Sequence, residues 1–204
     1  MQAPSPSLIA DNLACRRGER LLFRRLSFRL DGGAACHVTG ANGAGKTTLI
    51  RALAGLTTPY AGTVRRQGAL ALLDERTGLD PDLPLARALG FWAGIDRVAD
   101  RQAIMARLRL AALAEVPVRY LSTGQKKRAA LARVLGQAAP VWLLDEPLAG
   151  LDTASQALVG ELVREHCSGG GIALIASHQP LDVPFMTSFA IEDFAPAPAE
   201  EDEA

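Results

Sequence analysis

Eight residues of the sequence, 40–47, restrict the possible fold more than any other segment. They read Gly-Ala-Asn-Gly-Ala-Gly-Lys-Thr and match the pattern G-x-x-x-x-G-K-[ST] at every fixed position. An apolar run predicted to be a buried strand, 35–39, precedes them, and an apolar-periodic helix predicted over about 46–56, with Gly55 near its end, follows. In a strand, loop and helix of this kind, backbone N–H groups surround a phosphate at the helix N-terminus. The segment is therefore interpreted as a P-loop, which predicts nucleotide binding.

The P-loop predicts ATP and Mg²⁺ as cofactors and supplies most of the candidate binding residues. We expect Lys46 to be an exposed ligand that reaches the β- and γ-phosphates, so it also counts as a catalytic residue. We expect the Thr47 hydroxyl to bind Mg²⁺. The predicted nucleotide-binding residues of this segment are Gly40, Ala41, Asn42, Gly43, Ala44, Gly45, Lys46, Thr47 and Thr48.

A P-loop site also needs a carboxylate on the magnesium side, at the tip of a neighbouring strand, and two Asp-Glu pairs could supply it. Asp74-Glu75 and Asp145-Glu146 each follow a Leu-Leu pair. The second pair ends a four-residue apolar strand and is followed by Pro147, whereas the first opens a helical region. We therefore assign Asp145 as the Mg²⁺ ligand through water and Glu146 as the general base that orients the attacking water. Asp74 and Glu75 remain the alternative.

A second loop-to-helix junction lies at Ser122, Thr123, Gly124 and Gln125, before the Lys-Lys-Arg run 126–128. Taken alone, the segment is a helix N-cap followed by a solvated basic face. A Ser-Thr-Gly helix start also offers backbone donors and a helix dipole that suit a γ-phosphate. Because the P-loop already holds its own nucleotide, this second set of donors makes sense if another subunit completes the site.

The predicted organisation is one domain, 8–191, between a disordered N-terminus, 1–7, and an acidic disordered tail, 192–204. Within the domain, residues 75 to about 137 lose strand character and form a helical subdomain. Besides 35–39 and 46–56, strands are predicted at 21–23, 26–30, near 68–73, 141–144 and 172–175, and helices at 84–94, 98–113, 123–137 and about 155–166. The fold class is therefore α/β: a P-loop NTPase core with a mostly parallel sheet, an antiparallel β N-terminal part and a small helical subdomain.

Composition and charge exclude several classes of protein. Hydrophobic residues make up 49% of the chain and charged residues 22%, which is typical of a globular protein and excludes a disordered chain or a coiled coil. The formal net charge is zero, and the small surplus of bases outside the acidic tail gives no basic footprint, so no nucleic-acid partner is expected. Three cysteines without CxxC spacing, no signal sequence and no apolar stretch near 18 residues favour the cytosol.

The motifs together resemble those of a known family over about residues 8–191. The P-loop, 121–125, 141–146, Leu151-Asp152 and His178 occur in the order found in the nucleotide-binding subunit of ATP-binding cassette (ABC) transporters. The resemblance makes 121–125 the signature sequence, with Thr123 where Gly is commoner. It places Asp152 in the D-loop and makes His178 the switch histidine that contacts the γ-phosphate. Ser122, Thr123, Gly124, Gln125 and Asp152 thereby join the predicted nucleotide-binding residues, and His178 joins Lys46 and Glu146 as catalytic.

The same resemblance implies partners and a location. It implies a homodimer of ATPase subunits in the ATP-bound state, bound to integral membrane subunits of an exporter at the cytoplasmic face of the inner membrane. Within the family, the chain is similar to the haem exporter ATPases of cytochrome c biogenesis, which share its short length, its Gly170-Gly171-Ile172 strand entry and its His-Gln-Pro-Leu sequence at 178–181. This similarity implies haem export or release for cytochrome c maturation.

Two departures from the family pattern stand out. The aromatic residue that often stacks on adenine is missing near Cys15-Arg16-Arg17, so we expect the Arg17 guanidinium to stack instead. The Q-loop glutamine is also missing after the strand near 68–73, where Asp74, Glu75 and Arg76 stand. We expect this segment to serve mainly as a hinge between the core and the helical subdomain.

Three other functions are weighed against the haem exporter. A soluble cassette ATPase acting on nucleic acid or ribosomes would need long coiled-coil insertions or a second cassette, and the sequence has neither. An exporter ATPase for another substrate would share every ATPase motif. A regulatory module with little turnover is disfavoured because Glu146 and His178 are both present.

Overall fold

The computed structural model describes residues 5–98 and 100–196 of the chain. These residues form eight strands, five α-helices and three short 3₁₀ helices. The strands are β1 (Ser7–Arg17), β2 (Arg20–Asp31), β3 (Ala35–Thr39), β4 (Ala61–Gln67), β5 (Leu70–Leu73), β6 (Val141–Asp145), β7 (Ile172–Ala176) and β8 (Thr187–Ala190). The α-helices are α1 (Lys46–Leu53), α2 (Leu85–Asp96), α3 (Arg101–Arg107), α4 (Thr123–Gly136) and α5 (Thr153–Ser168), and the 3₁₀ helices are Ala111–Leu113, Val118–Tyr120 and Ile191–Phe194.

The strands form two sheets of different kinds. Five strands are parallel, in the order β5-β6-β7-β3-β8, and three are antiparallel, in the order β2-β1-β4. Every residue of β6 and β7 is buried, as expected for central strands of a parallel sheet that is covered on both faces. The predicted fold class, with its parallel core, antiparallel N-terminal part and helices, is confirmed.

Side chains of the parallel sheet alternate between two hydrophobic cores. Val141 and Leu143 of β6 pack with α1 and the antiparallel sheet. Trp142 and Leu144 of the same strand pack with the helices of the opposite face, including α4 and α5. This alternation follows because successive side chains of a strand project to opposite faces. The helices α2 and α3 join the second core through α4, so the helical subdomain packs on the sheet at that face.

The order of the strands brings the functional loops together. Strand β7 lies between β3 and β6. The P-loop follows β3, Asp145 ends β6, and His178 follows β7 by two residues. Because these strands are parallel, all three segments lie at the same carboxyl edge of the sheet, where ligands of open α/β sheets bind.

The observed strands differ from the predicted ones in two ways: two predicted strands form one, and three observed strands were not predicted. The strands predicted at 21–23 and 26–30 are one strand, β2, which bulges near Arg25 (φ 56°) and keeps its pairing with β1. Strand β1 escaped prediction because Asp11 and Asn12 break its apolar pattern, and Asn12 (φ 49°) lies at a shift of the β1 register. Strands β4 and β8 were not predicted, because none of their residues is buried.

The predicted helix and domain boundaries also change. The helix predicted over 98–113 is α3 followed by the 3₁₀ helix Ala111–Leu113, because Arg109 has a φ of 53° and interrupts it. Ser7 pairs with Asp31 and Gln67, and Glu192 and Asp193 lie in the 3₁₀ helix Ile191–Phe194. These residues are therefore not disordered as predicted, whereas 1–4 and 197–204 lie outside the described residues. Over the ranges that the structure describes, no helix is long and apolar enough to cross a membrane.

Candidate nucleotide site

The P-loop takes its shape from glycines that adopt conformations other residues avoid. Gly40 has a φ of 143° and Gly45 a φ of 116°, both in the region that favours glycine. Gly45 is the N-cap of α1, and a Cβ atom there would lie 3.2 Å from the Phe23 ring and 3.3 Å from Leu22 Cβ. The loop therefore packs closely against β2 while it presents the start of α1 to the cleft.

Lys46 is buried, which corrects the prediction that it is exposed. Its side chain is 6% exposed, and Nζ donates to Gly40 O at 2.7 Å and to Ala41 O at 3.1 Å. The same Nζ lies 3.8 Å from Glu146 Oε1. The ammonium is buried because backbone carbonyls solvate it in place of water. Lys46 is thus held at the P-loop by the loop's own carbonyl groups.

Asp145 lies at the end of β6, beside the P-loop. It is 2% exposed, and burial raises the pKa of its carboxyl, while the hydrogen bond with the Thr47 hydroxyl lowers it. Its Oδ1 atom is buried and has no hydrogen-bond partner among the described residues. A buried carboxylate oxygen without a partner, next to a hydroxyl, fits Mg²⁺, which binds oxygen ligands and keeps several waters.

Glu146 lies between the side chains of Lys46 and His178. Its backbone is left-handed (φ 46°) and its N–H donates to Ala176 O at 2.8 Å, which ties the loop to β7. Its Oε2 lies 2.9 Å from His178 Nδ1, and its Oε1 faces Lys46. An ionised carboxylate only accepts hydrogen bonds, so Nδ1 is the protonated nitrogen of His178 in this contact. The structure therefore brings together Lys46, Glu146 and His178, the three predicted catalytic residues.

The second Asp-Glu pair lies in the same cleft. Leu73 of β5 pairs with Leu144 of β6, so Asp74, which follows β5, and Asp145, which ends β6, lie at the same level. Both pairs and Arg76 line a cleft of 740 Å³, together with the P-loop residues Asn42, Gly43 and 45–48. The Arg76 N–H donates to Asp74 Oδ1 at 2.9 Å. Asp74 and Glu75 are thus cleft residues, and Asp145 has in addition a hydrogen bond with the Thr47 hydroxyl.

Lys127 interacts with the carboxylates of the cleft, which its sequence position did not predict. The run 126–128 was predicted to be a solvated basic face, but Lys127 is partly buried, and Arg128 donates to Leu108 O and Arg109 O. Burial lowers the pKa of Lys127, whereas the negative charges of both Asp-Glu pairs raise it. Its ammonium therefore interacts electrostatically with both carboxylate pairs. No sequence pattern indicates this, because it depends on how α4 packs at the sheet edge.

Arginines line another part of the cleft. Arg17 and its neighbour Arg16 both line it, and the Arg16 guanidinium lies 5.1 Å from the centre of the Tyr60 ring. Tyr60 is 52% exposed and was not considered from the sequence, because it lies far from Arg16 along the chain. Stacking of Arg17 on a base stays a prediction.

Comparison with known proteins agrees with this geometry. Residues 23–149 match the ABC transporter family. The chain belongs to the ABC transporter family. It is 54% identical to the cytochrome c biogenesis ATP-binding export protein CcmA of Novosphingobium aromaticivorans, over 93% of this chain and 97% of the relative. The Zymomonas mobilis protein of the same name is 47% identical, over 92% and 85%.

A solved structure supports the fold independently. The dimeric post-hydrolysis state of an ATP-binding cassette bound to ADP and Pi aligns with a TM-score of 0.74 at 19% identity, covering 84% of this chain and 88% of that one. The predictions of an ABC-type ATP hydrolase and of similarity to the cytochrome c biogenesis export proteins are confirmed.

The signature segment of this ABC chain does not line its own cleft. Among the described residues that line the cleft, none belongs to 122–125, nor is Asp152 one of them. Ser122 and Gln125 form a capping box at the start of α4: Ser122 Oγ accepts from Gln125 N at 3.2 Å, and Gln125 Oε1 accepts from Ser122 N at 2.8 Å. Asp152 caps α5 by accepting from Ser155 N at 2.7 Å.

The signature segment and the residues before α5 contact each other. A Cβ atom at Gly124 would lie 2.7 Å from Gly150 O, and one at Gly150 would lie 2.9 Å from Thr123 Cγ2. Glycine at both positions therefore permits this close approach. The predicted site residues thus fall into two groups, one at the P-loop cleft and one around 122–125 and 150–152.

Proposed function

We propose that the chain hydrolyses ATP to power a membrane exporter that serves cytochrome c biogenesis, with haem as the exported or released molecule. The observation that carries the ATPase assignment is the position of Glu146, which lies between Lys46 and His178 and follows Asp145. The assignment to cytochrome c biogenesis is supported by 54% identity, over nearly the whole of both chains, to a relative that bears that name.

In this proposal the residues 40–48 bind the ATP phosphates, and Lys46 reaches the β- and γ-phosphates. Thr47 and, through water, Asp145 would hold Mg²⁺, which when bound neutralises charge on the phosphate oxygens. The buried, unpaired Oδ1 of Asp145 supports this assignment. An occupied site would relieve the cost of that unpaired oxygen.

Glu146 is proposed as the general base. A water molecule attacks the γ-phosphorus, its proton passes to a Glu146 carboxylate oxygen, and the bond from the γ-phosphorus to the β–γ bridging oxygen breaks to leave ADP and phosphate. Glu146 is 25% exposed, so water can reach it. His178 holds Glu146 through Nδ1, which leaves Nε2 available to contact the γ-phosphate.

A second copy of the chain is proposed to complete each nucleotide site. The signature segment, 122–125, does not line its own cleft, and the helix start there offers backbone N–H groups to a phosphate. A homodimer in the ATP-bound state would place this segment over the partner's P-loop. We propose integral membrane subunits as further partners and the cytoplasmic face of the inner membrane as the location.

Gene deletion with complementation tests the proposal. Cells lacking the chain should make little holo-cytochrome c while haem synthesis continues, and the wild type but not Glu146→Gln should restore it. Normal holo-cytochrome c in the deletion would instead favour an exporter of another substrate. Copurification with nucleic acid or ribosomes, and not with membrane subunits, would favour a soluble cassette ATPase.

A further inference from the structure

The 3₁₀ helix Ile191–Phe194 lies against the beginning of the P-loop. Ile191 is fully buried in the core that also contains α1. The Phe194 ring contacts the Phe189 ring edge to face, with 5.7 Å between ring centres. These two anchors hold the helix in place and leave Glu192, between them, to reach the loop.

Glu192 binds the first peptide group of the P-loop. Its Oε1 accepts the Ala41 N–H at 2.5 Å. A Cβ atom at Gly40 would lie 2.5 Å from Oε2 and 2.8 Å from Oε1, so any larger residue there would displace the carboxylate. Gly40 is therefore needed both for its φ of 143° and for the space that Glu192 occupies.

The same peptide group also binds Lys46. The Gly40 carbonyl, which accepts from Lys46 Nζ at 2.7 Å, and the Ala41 N–H belong to one planar unit. In a trans peptide the C=O and N–H point in opposite directions. A carboxylate on the N–H therefore fixes the direction of the C=O, and it strengthens the carbonyl as an acceptor because hydrogen bonds in a chain polarise one another.

We propose that Glu192 is a positioning residue for the phosphate cradle: it acts through the Gly40–Ala41 peptide to hold the P-loop entry and Lys46 in the conformation that receives ATP. The inference rests on the proposed phosphate-binding role of Lys46. It assigns a functional contact to a segment that follows the last strand and contains none of the family motifs.

A direct electrostatic effect of Glu192 on the nucleotide would change ATP affinity in the opposite direction. A carboxylate near the P-loop repels the phosphates of ATP, so its removal would tighten binding. Glu192 is exposed to solvent, and salt screens interactions between exposed charges. The hydrogen bond from Ala41 N–H to Glu192 acts at short range, so its strength depends far less on salt. Ionic strength therefore separates positioning from repulsion.

The test compares Glu192→Ala, Glu192→Gln and the control Asp193→Asn in the full chain. Asp193 is an exposed acid of the same 3₁₀ helix, so its variant removes the same charge from almost the same place. Mg²⁺-ATP affinity, KM, kcat and thermal unfolding are measured at about 20 mM and about 300 mM salt. Exposed charges interact over longer distances at the lower salt concentration and are largely screened at the higher one.

Positioning predicts that Glu192→Ala weakens ATP binding and raises KM about tenfold at both salt concentrations, with kcat changed less than KM. Glu192→Gln keeps an acceptor and should lose about threefold, and Asp193→Asn should match the wild type. Tighter binding at low salt that disappears at high salt would overturn the inference. So would a lower melting temperature with unchanged affinity, or an equal effect in Asp193→Asn.

Lys46→Ala separates this inference from the proposed function. Loss of ATP binding in Lys46→Ala, with no effect of Glu192→Ala, would overturn only the positioning role of Glu192. Unchanged ATP binding in Lys46→Ala would overturn the phosphate-binding role on which the inference rests.

Discussion

The P-loop side of the molecule (40–48, 145–146 and 178) and its signature side (122–125 and 150–152) use their polar side chains differently. On the P-loop side, Glu146 forms a hydrogen bond with His178 and faces Lys46, so the functional groups interact with one another. On the signature side, Ser122 and Gln125 cap α4, and Asp152 caps α5. The first side can act on a nucleotide through side chains, whereas the second has mainly backbone groups left to offer.

The helix α4 connects the two sides. The signature segment lies at its start, Lys127 interacts with the cleft carboxylates, and Arg133 near its end donates to Thr77 O at 2.8 Å, in the loop that follows β5. Because α4 interacts electrostatically with the cleft carboxylates through Lys127 and binds the loop after β5 through Arg133, both interactions help to position its N-terminus. This difference is consistent with the proposed dimer, in which the P-loop side supplies the catalytic side chains and the signature side binds another copy.

The P-loop side should lose most when its base is removed. Glu146→Gln keeps the size of the side chain but cannot take a proton, so ATP hydrolysis should fall by about a hundredfold or more. ATP binding should remain, and ATP held between two copies should stabilise a dimer. Steady-state ATPase assays, and size-exclusion chromatography with ATP and Mg²⁺, measure the two effects.

Glu75→Gln is the matched control for this variant. Glu75 lines the same cleft but belongs to the other Asp-Glu pair, so hydrolysis should stay within a few-fold of wild type and no dimer should accumulate. A trapped dimer with Glu75→Gln and normal hydrolysis with Glu146→Gln would reverse the assignment.

The signature side should respond to a change in backbone spacing. In Gly124→Ala the new methyl group would lie 2.7 Å from Gly150 O, so the two segments must separate. Such overpacking costs about 1–3 kcal/mol, and hydrolysis should fall about thirtyfold. ATP binding by the monomer should change less than twofold, because the segment does not line its own cleft.

Gly94→Ala is the control for a glycine that has room. Gly94 lies in α2, with nothing within 4 Å of the position its Cβ would take. Alanine there should keep full hydrolysis and raise stability by about 0.5 kcal/mol or more. Weaker ATP binding by the Gly124→Ala monomer would show that the signature segment contributes to its own cleft.

The sequence predicted the P-loop side well because each part of it is local. The motif 40–47, the strand before it and the apolar strand that ends at Asp145 lie in short segments, and a parallel sheet places their ends at one edge. Glu146 was assigned from the apolar strand before it, whereas the role of His178 depended on family resemblance, and the structure places His178 Nδ1 2.9 Å from Glu146 Oε2.

Loop conformation and contacts between distant segments explain what the sequence could not predict. Lys46 was expected to be exposed, and its burial depends on carbonyls of the loop's own entry. Glu192 was assigned to a disordered tail, although its helix is anchored by Ile191 in the core. Lys127 and Tyr60 acquire their neighbours only through packing of distant segments. Charge and periodicity contain no information on such neighbours.

The link between the two sides can be tested at Arg133. Its guanidinium lies 3.8 Å from the centre of the Trp92 ring and donates to Thr77 O, while Trp92 Nε1 donates to Gly78 O at 2.8 Å. Arg133→Met should lower stability by about 1.5 kcal/mol through loss of these contacts. That corresponds to a fall in Tm of about 3 to 6 °C, measured by thermal unfolding.

The control is Arg87→Met, because Arg87 is an exposed arginine of α2 in the same subdomain. Its substitution should change Tm by less than about 2 °C. If stimulation by the membrane subunits is lost in Arg133→Met while basal hydrolysis stays within a few-fold, α4 links the sides as described. Equal Tm changes in both variants would show that the Thr77 contact contributes nothing specific.

The smallest effect concerns the stability of the P-loop side without nucleotide. Burial raises the pKa of Asp145 above its value in the unfolded chain. A raised pKa stabilises the fold below the unfolded pKa, and that contribution is lost as the pH rises through the folded pKa. The ionised carboxylate therefore destabilises the nucleotide-free protein at neutral pH.

Asp145→Asn, which imitates the protonated acid, should raise Tm by about 2 to 4 °C at pH 7. The gain should vanish as the pH falls below about 4, the ordinary pKa of aspartate, and Asp193→Asn should show no gain at either pH. A lower Tm for Asp145→Asn at pH 7 would show that the ionised carboxyl of Asp145 stabilises the nucleotide-free protein. The P-loop side would then gain no stability from losing this charge, contrary to the prediction.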